Sequence, residues 1–379
     1  MNIYYFTFMT SEELSKYNLF VSPASDSKSN YIVKKLDNII PKYEVITMAE
    51  TLNKYGTFKS ISFPIYKNGK IKTITTYGRN NRIIKKIQYL LRPLQVYFLL
   101  RKLGQDDIVI YYHSLWMDRI FLKAKMRRKF TLILELEEMY QDINRCTRKQ
   151  IKYENEIIHI ADGYILATSE LSKLVDNKKY VICNGDYTFK KNYTENKCID
   201  KIHCVYAGTF DSAKGGALAA VESARYLDSR YHIHILGFGS DKDKKILLER
   251  IACVQKVTEC IITYDGLKKG DEYIRFLQSC QIGLCTQNPN DKYVTTSFPS
   301  KILTYLGNGL LVVSGKIPTV IDSEVGELVN YYDVQTPESI ANSIMKVNTD
   351  RINNVNDKLK LLDEKFENDF FKLLKGIKR

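Results

Sequence analysis

The residues best suited to chemistry begin just past the middle of the chain. There Ala207-Gly208-Thr209-Phe210 ends an apolar run, and Lys214-Gly215-Gly216 opens a helical one. Glycines let backbone N–H groups approach a phosphate, a helix N-terminus is electropositive, and Lys214 adds a point charge. The spacing is neither that of a Walker A loop nor that of the dinucleotide fingerprint G-x-G-x-x-G. Taken alone, this segment reads equally well as an ordinary glycine-rich turn. Three more segments follow: Gly237 and Gly239 close the run 235–240, Tyr264 and Gly266 end the run 262–267, and Pro299-Ser300-Lys301 opens a helical stretch. Proline suits the first turn of a helix, which places Ser300 and Lys301 at its positive end, fit for a diphosphate. Three consecutive strands ending in glycine turns favour a bound nucleotide at their carboxyl edge.

The first half offers acid–base candidates. His113 follows the apolar run 108–112, and Glu135, Glu137 and Glu138 come at the end of the run 131–136. A carboxylate there is able to orient or deprotonate a hydroxyl; the plainer reading is a satisfied loop histidine and a solvated helix start. Glu138 and His113 are the preferred catalytic pair. In the segment 79–102, Arg79, Arg82, Lys85, Lys86, Arg92, Arg101 and Lys102 interleave with apolar residues, and a second basic cluster spans 123–129. A basic amphipathic helix is able to lie on anionic lipid headgroups, although one face packed on a sheet and the other solvated is the commoner arrangement.

These residues need a frame. Short apolar runs at 3–8, 43–48, 108–112, 131–136, 163–167 and 180–183 read as strands, and 29–39, 82–102, 117–128 and 148–159 have helical periodicity. Such alternation predicts a parallel sheet covered on both faces. The polar stretch 184–200 reads as a linker. The alternation then restarts, with strands at 203–207, 232–236, 259–264, 282–286 and 310–314. Helices are expected at 215–227, 242–253, 271–279 and 300–307. The spacing predicts an α/β protein of two Rossmann-like, doubly wound domains, 1–190 and 201–358. The segment 359–379 reads as an amphipathic helix packing back on the first domain.

Length and composition agree with two domains: 379 residues, 44% of them hydrophobic. An excess of 57 Lys+Arg over 43 Asp+Glu gives a surface attractive to anions. No nucleic-acid-binding module is recognised, and the basic residues are mixed with acidic ones, which argues against a nucleic-acid partner. The eight cysteines form no C-x-x-C pair, and the expectation is reduced thiols, no structural metal and a cytoplasmic setting. The apolar start reads as a first strand rather than a signal peptide, and no run approaches membrane-spanning length.

The order A-G-T-F-x-x-x-K-G, L-G-F-G, Y-D-G-L, C-Q-I-G-L and F-P-S-K-I-L-T-Y-L-x-x-G across about 201–319 resembles the C-terminal domain of retaining GT-B glycosyltransferases. The nearest are the family-4-like enzymes of bacterial surface-polysaccharide synthesis. The resemblance implies two domains facing across a cleft. It also implies metal-independent, cofactor-free transfer from a nucleoside-diphosphate sugar held by the second domain to a glycan or lipid-linked acceptor held by the first. Lys214 matches the lysine that contacts donor phosphate, the usual partner arginine falls at Thr209, and the two usual glutamates fall at Thr296 and Thr304. A threonine is able to bond a ribose hydroxyl but lacks charge-assisted strength. If the basic segments face one way, the first domain would dock on the inner membrane face. A nucleotide-sugar epimerase and a non-catalytic partner of another transferase are the alternatives.

Overall fold

The computed structural model describes residues 2–78, 80, 82–143, 146–175, 178–193, 200–210, 215–348 and 354–377. Contacts divide the chain into two units, Met1–Asp186 with Lys365–Arg379, and Tyr187–Glu364.

The first unit is built on eight strands: β1 Ile3–Thr7, β2 Tyr43–Thr47, β3 Ser62–Ile65, β4 Gly69–Thr73, β5 Ile108–Tyr112, β6 Thr131–Leu136, β7 Gly163–Leu166 and β8 Lys179–Ile182. Their order is β8-β7-β6-β5-β1-β2-β4-β3, parallel except for the antiparallel pair β3/β4. Strands β5 and β6 are apolar almost throughout because both their faces are covered. The α-helices longer than four residues are α1 Pro23–Ile39, α2 Arg82–Leu100, α3 Asp118–Arg128 and α4 Arg148–Ile160. Helix α1 begins six residues earlier than its periodicity suggests, with Pro23 in its first turn. Helix α4 begins at a capping box, in which Thr147 and Gln150 satisfy each other's backbone N–H groups. Phe6, Tyr111, Phe121, Leu134 and Tyr164 lie in the core.

The second unit carries β9 Ile202–Thr209, β10 Tyr231–Phe238, β11 Ile261–Gly266, β12 Ile282–Cys285, β13 Leu311–Gly315 and β14 Val329–Tyr332. All are parallel in the order β11-β10-β9-β12-β13-β14. The α-helices longer than four residues are α5 Gly216–Ser223, α6 Asp241–Gln255, α7 Gly270–Ser279, α8 Lys301–Gly307 and α9 Pro337–Met345. The strand order reverses at β9, whose neighbours are β10 and β12, and the carboxyl edge at such a switch point is where this architecture accepts ligands.

The last helix, α10 Val355–Gly376, begins four residues before its expected span of 359–379. From Lys365 onward its residues belong to the first unit. There Phe366 lies 5.5 Å from the Tyr31 ring, and Glu367 pairs with Lys35 at 2.9 Å.

Candidate functional site

The switch-point edge of the second unit is made of backbone held very close. Gly208 and Gly237 are partners in register at the ends of β9 and β10. Gly237 has φ +135°, and a Cβ there would lie 1.7 Å from the Gly208 carbonyl oxygen, so only glycine fits. Gly215 adopts a left-handed conformation (φ +65°) as it caps α5, with open space where its Cβ would be. The Thr286 hydroxyl ties the start of α5 to the end of β12 by donating to the Gly216 carbonyl at 2.6 Å. Thr209 is exposed at the end of β9, and Gly266 ends β11. Tyr264 donates to the Gly237 carbonyl at 3.3 Å and packs edge-on to Phe210. Lys214, expected beside them, lies outside the described residues.

Lys301 reaches this edge from α8. Its Nζ lies 4.0 Å from the Tyr206 ring centroid and 3.2 Å from where a Gly208 Cβ would stand. Among the described residues no carboxylate pairs with it, so a half-buried ammonium faces the glycine edge across an aromatic surface. Tyr305, fully buried on the same helix, accepts the Ala207 N–H at 2.8 Å and donates to the Leu284 carbonyl at 3.3 Å, which fixes α8 against β9 and β12. Ser300 makes no side-chain cap, and α8 has seven residues, so the side-chain charge rather than the helix end supplies the attraction. Thr304 is half-buried and donates to the Ser300 carbonyl at 3.3 Å.

The ionisable groups of the first unit are enclosed. His113 is 1% exposed, with Nε2 3.1 Å from Asp118 Oδ2 and 3.8 Å from Glu154 Oε1. Burial lowers its pKa, but Asp118, then Glu154 and Glu138, outweigh burial and hold it above the ordinary histidine value. Glu138 is half-buried just beyond β6. Glu135 is fully buried, accepting from the Tyr5 hydroxyl at 2.5 Å, and burial together with the charge of Glu137 pushes it up to about 8. Lys28, 4% exposed on α1, pairs with Glu137.

No family model matches the sequence, and no curated protein matches it. Its structure is similar along its full length to solved ones. The E. coli trehalose-6-phosphate structure bound with UDP-2-fluoro glucose matches with TM-score 0.67 at 8% identity, over 100% of this chain and 99% of that one. HepE from Anabaena in complex with UDP and glucose matches with TM-score 0.64 at 8% identity, over 99% and 98%. A UDP-forming α,α-trehalose-phosphate synthase from Burkholderia xenovorans matches with TM-score 0.66 at 8% identity, over 99% of each chain. The fold is GT-B.

Within this fold the structure brings Gly208, Gly237, Tyr264 and Lys301 to one edge, with Gly215 opening the helix that starts there. Tyr206 and Tyr305 were not among the expected site residues. Tyr206 lies between Lys301 and Gly216, where a Cβ would meet the Tyr206 ring at 3.1 Å. Tyr305 stands four residues after Lys301, one turn on, a spacing that marks it as the buried face of the helix presenting that lysine.

Proposed function

We propose that this protein is a glycosyltransferase, transferring a sugar from a nucleoside-diphosphate sugar bound by the second unit to a glycan or lipid-linked acceptor, with retention, in surface-polysaccharide synthesis. The observation that carries the reading is the Lys301 ammonium, without a carboxylate partner among the described residues, held beside Gly208 at the switch-point edge. An ammonium of this kind, next to backbone that a side chain would obstruct, suits a diphosphate. The solved structures of similar fold that contain UDP or a UDP-sugar support the same donor class. Glu138 and His113 remain the proposed acid–base pair of the first unit. With His113 buried against Asp118, Glu138 is the one to meet an acceptor hydroxyl and His113 tunes the charge beside it.

The acceptor is proposed to be presented at an anionic membrane face. Along α2, Ile83, Ile87, Leu90, Leu94 and Phe98 form one helical stripe, each between 47% and 67% exposed. Lys86, Arg101 and Lys102 are exposed around it, and Arg127 of α3 donates to Tyr97 at 2.7 Å, bringing the second basic cluster alongside. Arg92, expected on this surface, instead turns inward to pair with Glu50 and stack on Trp116. Arg79 and the side chains of Arg82 and Lys85 lie outside the described residues. No described helix is long and apolar enough to cross a membrane, so the stripe would lie in the plane of the headgroups.

A thermal-shift screen against UDP-, GDP-, dTDP- and CMP-sugars tests donor binding and identifies the base, a saturating ligand raising the transition by a few degrees. Calorimetry on Lys301→Glu should then show donor affinity falling by about 10–100-fold, with thermal stability retained. Unchanged donor binding in this variant refutes the site.

A further inference from the structure

Three of the chain's five histidines meet at the opposite, amino end of the second sheet. His203 on β9 is the register partner of His232 on β10, and His234 follows on the same face two residues later. One ring nitrogen of each lies within 4.8 Å of the others, and this is the one such metal-ligating group of three among the described residues. The rings of His232 and His234 stack at 3.8 Å between centroids.

The neighbouring carboxylates select one set of tautomers. His234 Nδ1 faces Asp265 Oδ2 at 3.0 Å, and His203 Nε2 faces Asp200 Oδ1 at 3.3 Å. A carboxylate only accepts, so each of these ring nitrogens carries the hydrogen. His232 Nε2 is engaged in the same way by the Thr263 hydroxyl at 3.1 Å, which donates in turn to Asp265 at 2.9 Å. In these tautomers the remaining nitrogens, His203 Nδ1 and His234 Nε2, 2.9 Å apart, both carry lone pairs. Two lone pairs at that distance repel unless a proton bridges them or the rings turn to share a metal ion beside the line that joins them. Imidazoles whose outer N–H groups are held by carboxylates are the usual arrangement around a bound metal.

We propose that His203, His232 and His234 bind one divalent transition-metal ion of the zinc class, with Asp265 and Asp200 orienting the ligands and water completing the shell. A tetrahedral zinc site spaces its nitrogens at about 3.3 Å, against 2.9 Å between His203 and His234 and no more than 4.8 Å within the group, so the stacked rings turn to converge on the ion. Magnesium and calcium, which take oxygen ligands, are disfavoured. The site is about 16 Å along β9 from Gly208, so the ion acts on structure, tying β9 to β10 and, through Asp265, to the edge strand β11.

Untagged, full-length, chelator-stripped protein titrated calorimetrically with zinc chloride should bind one ion per chain at micromolar concentrations and gain thermal stability, while magnesium chloride gives no response. Cobalt(II) in the wild-type protein should give the visible absorption of a tetrahedral site, a readout that needs no variant. His203→Asn and His234→Asn should each weaken zinc binding at least tenfold. Absence of zinc binding by the wild-type protein, meaning that the rings share a proton instead, overturns the proposal. Undiminished binding in both variants overturns it equally.

Discussion

At the carboxyl edge of the second sheet, β9 and β10 finish in Gly208 and Gly237, and the charge beside them is the ammonium of Lys301, with no described carboxylate to neutralise it. At the carboxyl edge of the first sheet, β6 finishes among Tyr5, Lys28 and Glu137, with Glu135 fully buried and His113 sealed against Asp118. The two sheets follow the same doubly wound logic, yet one leaves backbone and a cation to be completed from outside, and the other completes itself with side chains. The first condition suits an anionic ligand that brings its own charge. The second stores charge in a low-dielectric interior, where protonation becomes linked to stability.

Gly237→Ala should have the largest effect on this contrast. The added Cβ would stand 1.7 Å from the Gly208 carbonyl oxygen, which is backbone and has little room to move. A loss of about 2–4 kcal/mol in chemical denaturation, together with loss of the nucleotide-sugar response, is expected. Retention of both would mean that the edge is looser than its geometry.

Glu135→Gln comes next, on the closed edge. The folded carboxyl titrates at about 8 against an ordinary 4.5, so in this window the folded protein keeps a proton that the unfolded chain has lost. The stability it contributes is complete below pH 4.5 and is lost as pH rises through about 8, by up to about 1.4 kcal/mol per pH unit. The glutamine variant should flatten that slope in urea denaturation between pH 5 and 8. Equal slopes in the two proteins would show that Glu135 is ionised in the fold.

Much of this contrast was legible before folding. Strands 108–112 and 131–136 came out at their observed bounds because they are buried on both faces, where an apolar run is unambiguous. The pair Ser62–Ile65 and Gly69–Thr73 was hidden. It lies at the sheet's edge, alternates Lys70 and Lys72 with Ile71, and contains Pro64, so its pattern is that of exposed chain. The glycine turns and Lys301 were legible because their chemistry is local. The Glu135 network was not, since Tyr5, Lys28, Glu135 and Glu137 are separated by up to 132 positions, and only strand order brings them together. The three histidines were missed for the same reason. His232 and His234 show the two-residue spacing of a shared strand face, but His203 joins them only through the register of β9 with β10.

Two smaller changes separate what holds the open edge from what fills it. Tyr305→Phe leaves the buried Ala207 N–H without its acceptor at 2.8 Å, a cost of about 1–2 kcal/mol in stability, and should lower donor affinity only as far as Lys301 shifts. Thr304→Ala should do least. The Thr304 hydroxyl already donates to the Ser300 carbonyl one turn back, a bond that contributes little to a helix. What it has left for a ribose is an acceptor lone pair, without the charge of a glutamate. Less than about threefold loss of donor affinity, or roughly 0.6 kcal/mol, is therefore expected by calorimetry. A tenfold loss would mean that the nucleoside end, rather than the diphosphate beside Lys301, dominates binding, and the open edge would have to be redrawn around α8.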